Sequence, residues 1–152
     1  MAKTILLTEA ELRYAAYTGV DRQVSALSHR RSDQFRPRDY WSTHILACMA
    51  ELAVAKWRGR YWSGFADAGF HGDSDVGKGE VRSSSNYDSD LILRPRDREK
   101  GDAPFVLVVT DPPEMHLVGW AYGREAMVDE FWRAAPAPAA WFMPQDRLRA
   151  IK

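Results

Sequence analysis

The unbroken apolar run Phe105-Val106-Leu107-Val108-Val109 sets the first limit on how this chain can fold. A strand turns successive side chains to opposite faces. An apolar run without alternation therefore suits a strand covered on both faces, so its sheet must lie between two layers. Short strands with turn residues between them are expected nearby, at Glu80 to Ser84, Asp90 to Arg94 and His116 to Ala121.

The rest of the chain reads as cover for that sheet. Thr8 followed by Glu11 is a capping-box pattern, and a helix is expected from Glu9 to Leu27, with Gly19 as a point of interruption. The polar, basic stretch SHRRSDQFRPRDY, broken by Pro37, reads as a loop. A second helix is expected from Ser42 or Thr43 to Trp57, ended by Gly59. Residues 60–72 are rich in Gly and aromatics and read as irregular. Arg124 to Trp132 reads as a short helix, and the tail PAPAAWFMPQDRLR as extended. The expectation is one α/β domain with a mixed central sheet of about four to five strands flanked by helices.

Composition removes several function classes. The chain has 152 residues, formal net charge zero and 28% charged residues, so no global basic field draws in nucleic acid. Cys48 is the only cysteine, which excludes an internal disulfide framework. With His29, His44, His71 and His116 scattered, a thiolate zinc site is not expected either. The N-terminus turns charged almost at once and no apolar run reaches membrane-spanning length, so the expectation is a cytoplasmic protein without a membrane partner.

Two stretches carry chemistry. In Ile45 to Ala55, ILACMAELAVA, Glu51 is the single polar residue on a helix that is apolar all round. Such a helix is buried, and a buried carboxylate needs a cationic partner or a metal. Glu51 is thus either paired with an arginine, the nearby loop arginines being candidates, in a structural role, or a ligand or ligand-orienting acid under the sheet. The second stretch is GDSDVGKGEVRSS, Gly72 to Ser84. Val76-Gly77-Lys78-Gly79 makes a tight turn that brings Asp75 near Glu80. On the strand that follows, Glu80 and Arg82 share one face and Val81 takes the other. Side-by-side carboxylates repel unless a cation neutralises them, and hard oxygen ligands suit Mg²⁺ or Mn²⁺. The other reading is an ordinary solvated hairpin. Asp73 lies further from the strand and reads as a turn residue.

Glu51 in a buried helix, then Asp75, then Glu80-Val81-Arg82, then apolar strands, resembles the PD-(D/E)xK nuclease superfamily, closest to small nuclease-like proteins of phages and bacteria. AELAVAKWRG looks like the first core helix of that family, EVRSS, DLILRPRD and FVLVV like its central strands, and GWAYGREAM like a later strand and the second core helix. The resemblance covers about Trp41 to Met127 and leaves the N-terminal helix and the Pro-rich tail as decorations. It implies a restriction-endonuclease-like fold and hydrolysis of phosphodiesters, in DNA. Asp75 and Glu80 would hold Mg²⁺ or Mn²⁺, with the Val81 backbone carbonyl as a further ligand and Glu51 supporting the metal or its water. Arg82 stands where the family has lysine. Arginine stays protonated in proteins, so Arg82 is expected to stabilise phosphate charge and not to act as a base. The same departure points to the alternative, a catalytically degenerate domain that binds nucleic acid or a phage or host protein. Homodimers are frequent among the family's double-strand cutters.

Candidates for holding nucleic acid are Lys78, the run Arg94, Arg96, Arg98 and Lys100, and the loop run Arg30, Arg31, Arg36 and Arg38. Asp33, Asp39, Asp97, Glu99 and Asp102 dilute both runs, which read equally well as solvated loops. Trp41, Trp57, Tyr61, Trp62 and Phe65 could stack bases but read more naturally as core packing, and Trp120 as core.

Overall fold

A computed structural model describes residues 2–29, 39–64 and 74–152. The basic loop with Arg30, Arg31, Asp33, Arg36 and Arg38, together with Phe65, His71 and Asp73, lies outside the described residues.

Strand β1 (Lys3–Leu6) was not anticipated; it enters the sheet ahead of helix α1 (Glu9–Ser28). Thr8 caps that helix as its pattern predicts: the Glu11 amide donates to Thr8 Oγ1 at 3.3 Å, and the Thr8 amide to Glu11 Oε2 at 2.7 Å. Gly19 does not interrupt α1. It marks where α1 meets helix α2 (Tyr40–Trp57), since a Cβ there would stand 2.5 Å from the Ile45 Cα. Helix α2 begins earlier than expected because Asp39, read as a surface acid, caps it and accepts from the Ser42 amide at 3.1 Å.

Strands β2 (Glu80–Ser84) and β3 (Leu91–Leu93) follow, then a 3₁₀ turn (Pro95–Lys100), β4 (Pro104–Asp111) and β5 (Glu114–Tyr122). The expected helix at Arg124 to Trp132 is shorter: α3 (Gly123–Ala126) ends after one turn, and a 3₁₀ turn (Asp129–Phe131) leads into β6 (Trp132–Arg133). The tail is extended through β7 (Ala140–Met143), and then departs from the extended expectation in a 3₁₀ turn (Gln145–Arg147).

The protein is α/β, with a mixed four-stranded sheet in the order β1-β5-β4-β2 and a second sheet in the order β3-β7-β6. In the main sheet β2 runs parallel to β4, with Glu80 opposite Phe105, while β4–β5 and β5–β1 are antiparallel. Strand β4 explains its own sequence. Val106 and Val108 enter the core beneath α1 and α2, with Cys48, Val54, Met115 and Leu117. Phe105 and Leu107 enter the core on the other face, with Leu91, Leu93, Trp141 and Met143 from the second sheet. At 25 cal/mol per Å², covering both faces of such a strand stabilises each large apolar side chain by about 2 kcal/mol. The N-terminal helix and the tail both supply these cores. Among the described residues no helix is long and apolar enough to cross a membrane.

Candidate functional site

The edge strand β2 gathers the charged residues. Its hairpin closes through reciprocal Val76–Gly79 backbone bonds of 3.0 and 2.9 Å, and Gly77 takes the left-handed conformation (φ +60°) that glycine allows without strain. The turn returns Asp75 to the start of β2, where its Oδ2 accepts from the Val81 amide at 2.7 Å. Val81 points into the helical core, as alternation requires. Arg82 points to the other face and lies over the Phe105 ring, 4.9 Å from its centroid. Arg82 Nη1 stands 3.8 Å from both Asp75 Oδ2 and Glu80 Oε2, so the hairpin does bring the two acids to one cation.

Arg82 has stronger partners than these. Its Nη2 donates to Asp97 Oδ1 at 2.8 Å and its Nη1 to the Val81 carbonyl at 3.0 Å. The carbonyl singled out as a ligand is therefore already accepting a bond. Asp97, read as a surface acid diluting a basic run, is 2% exposed, and its other oxygen accepts from the Arg94 amide at 2.8 Å. It ties the 3₁₀ turn to β2. That turn also delivers Lys100, whose Nζ stands 3.0 Å from Glu80 Oε2. Sequence reading placed Lys100 in the basic run and missed both contacts. The spacing that could have shown them is the i, i+3 cap Arg94–Asp97, hidden among alternating charges. Arg96, Arg98 and Lys78 remain exposed, with Arg98 5.5 Å over Trp141.

Glu51 lies in the helical layer and is 6% exposed. Its partner is an arginine, but one from α1 and not from the loop. Arg22 grips both carboxylate oxygens at 2.8 and 3.1 Å, and Trp62 Nε1 donates to Oε2 at 3.1 Å. The charge-assisted bonds from Glu51 hold the Arg22 guanidinium well above its ordinary pKa despite burial. Cys48, one turn before Glu51, is fully buried, and that burial pushes its thiol up to about 12. Trp62 is thus packed, whereas Trp41 and Tyr61 are exposed and Trp120 is half-buried.

Asp75 stands between the two groups. Burial first, and then the charges of Glu51 and Glu80, push its carboxyl up to about 7 against the pull of Arg82 and the Val81 amide. Its side chain keeps 21% of its surface accessible, which tempers the burial and leaves the like charges as the firmer cause. Glu80 is 3% exposed, and its Oε1 has no hydrogen-bond partner among the described residues. An orphaned buried oxygen of this kind costs about 1–3 kcal/mol. Among the described residues four carboxylates (Glu51, Asp75, Glu80, Asp97) meet three cations (Arg22, Arg82, Lys100), an excess of one negative charge whenever Asp75 is ionised.

Fold and site together define an α/β protein with an acidic cluster at the edge of a mixed sheet, laced by arginine and lysine. Comparison of the chain with family models, with curated proteins and with solved structures gave no match. Among the described residues no three His, Cys, Asp or Glu side chains converge as a ready-made metal set. The donors that fit a hard divalent cation are the carboxylates of Asp75 and Glu80, one destabilised by like charge and the other carrying an unmatched oxygen.

Proposed function

We propose that the protein is a metal-dependent hydrolase of phosphodiester bonds, acting on DNA, with a PD-(D/E)xK-type site at the β2 edge. The observation that carries this reading is the unmatched Glu80 Oε1 beside an Asp75 whose ionised form its neighbours oppose. Asp75 and Glu80 would hold Mg²⁺ or Mn²⁺, and Glu51 would stay a structural acid locked to Arg22. Bound there, the ion would supply Lewis acidity at the phosphate and lower the pKa of the attacking water. In the reaction a water oxygen would form a bond to phosphorus and give up a proton to solvent, one P–O ester bond would break, and the leaving oxygen would take a proton from solvent. Arg82, fixed by Asp97 and Phe105, would position both acids from 3.8 Å. Exposed Lys78, Arg96 and Arg98 flank the site and would neutralise backbone phosphates. Under this reading the protein would act in the cytoplasm of a bacterial or phage-infected cell.

A second reading is a nucleic-acid- or protein-binding module without chemistry. The engagement of Arg82, in place of a lysine, with Asp97 and the Val81 carbonyl favours it. Cleavage of plasmid and single-stranded DNA in Mg²⁺ or Mn²⁺, beside EDTA and Glu80→Ala, separates the two. The hydrolase cuts only with metal and loses at least about a hundredfold in rate in Glu80→Ala, as removal of a group stabilising transition-state charge does. Equal cutting by the variant, or DNA affinity that survives EDTA with no cutting, rejects hydrolysis at this site.

A further inference from the structure

Lys100 and Arg82 both reach Glu80, yet they differ in freedom. Arg82 is tied at both nitrogens and stacked on Phe105, and its side chain is 23% exposed. The Lys100 ammonium has one carboxylate partner among the described residues, Glu80 Oε2 at 3.0 Å, and its side chain is 34% exposed at the mouth of the cluster. Its backbone is held firmly: the Lys100 carbonyl accepts from the Ala103 amide at 3.1 Å, and Gly123 packs so close that a Cβ there would stand 2.5 Å from the Lys100 oxygen. The structure therefore offers a fixed root and a side chain held at its tip by one ion pair.

We infer that Lys100 is the exchangeable cation of the site: it neutralises Glu80 while no metal is present, yields that carboxylate to the incoming ion, and turns its ammonium to the substrate phosphate. This rests on the metal-dependent reading above. It assigns phosphate contact to Lys100 and leaves Arg82 as a positioning residue. The physical reason is that an ion taken up at the unmatched Glu80 Oε1 and an ammonium 3.0 Å from Oε2 repel each other across one carboxylate, and a lysine side chain can move a few ångströms away and keep its charge near the phosphate.

The test combines Mn²⁺ binding by calorimetry, acylation of Lys100 followed by mass spectrometry, and DNA cleavage, on the wild type and on Lys100→Gln, Lys100→Arg and Glu80→Gln. Removing a unit charge beside the ion should tighten Mn²⁺ binding in Lys100→Gln by about tenfold, well below the unscreened Coulomb limit. Cleavage by the same variant should fall, and these opposite signs are what a merely structural lysine would not give. Lys100→Arg should bind Mn²⁺ as the wild type does. Saturating Mn²⁺ should raise the acylation rate of Lys100. Mn²⁺ binding that Lys100→Gln leaves unchanged or weakens, or an acylation rate indifferent to Mn²⁺, overturns the role of Lys100 while sparing the metal site. Absence of Mn²⁺ binding in the wild type and in Glu80→Gln alike overturns both readings together.

Discussion

Glu51 is held as one half of a buried ion pair. In sequence it is a lone acid on an apolar helix; in the fold it is gripped on both oxygens by Arg22 and capped by the Trp62 indole. Removing one partner of a buried pair costs about 3–5 kcal/mol, because the other charge is left stranded. Arg22 is 20% exposed, so Arg22→Ala is expected at the low end, about 3 kcal/mol, read from the urea midpoint. Replacing both partners, Arg22→Met with Glu51→Leu, should restore most of that loss, since no unpaired charge remains. If the double variant stays as unstable as the single one, the pair contributes more than mutual neutralisation. Asp75 and Glu80 behave differently. Their neighbours do not satisfy them fully, and that residual mismatch, absent at Glu51, makes them the ligand candidates.

At the scale of elements, the crossing of α1 over α2 places Arg22 above Glu51. Gly19 permits the approach, with a missing Cβ 2.5 Å from the Ile45 Cα and 2.7 Å from its nitrogen. Alanine would gain about 1 kcal/mol of helix preference there. The overlap is with backbone, which cannot rotate aside, and such overpacking costs about 1–3 kcal/mol or more. Gly19→Ala should therefore destabilise, lowering the urea midpoint with an unchanged m-value, and a stabilised variant would show that the crossing is looser than described. The elements themselves were legible where the signal is local. The Thr8–Glu11 box, the β2 alternation and the two-faced β4 run all form as read, because capping and side-chain alternation act within a few residues. Strand β1, strand β7 and the shortness of α3 were not legible, because short strands are made by their partners: β1 exists through β5, and β7 through β3.

At the scale of the whole molecule, residues 149–152 fasten to the sheet and to α2. Arg149 exchanges backbone bonds of 3.0 and 2.9 Å with Trp120, its guanidinium pairs with both oxygens of Glu125, and Trp57 Nε1 donates to the Lys152 carbonyl at 3.0 Å. The Arg149 bonds, with the Tyr122 amide, hold the Glu125 carboxyl down at about 2 from the ordinary 4.5. A carboxyl depressed in the folded state stabilises the fold above its unfolded value and ceases to do so as pH falls through the folded one. Stability should therefore decline between pH 4.5 and about 2, and Glu125→Gln should flatten that part of a melting-temperature profile. An unchanged profile would mean that the tail is not fastened through this pair. The sequence by itself determined the alternation that turns Glu80 and Arg82 to one face and Val81 to the other, the capped first helix and a sheet layered on both sides, because these follow from periods of two and about four residues along the chain. Packing of separate elements settles which charges are paired and which remain. Arg22, Asp97 and Lys100 lie 29, 15 and 20 positions from their partners Glu51, Arg82 and Glu80. No local period reports on side chains that meet only when separate elements pack.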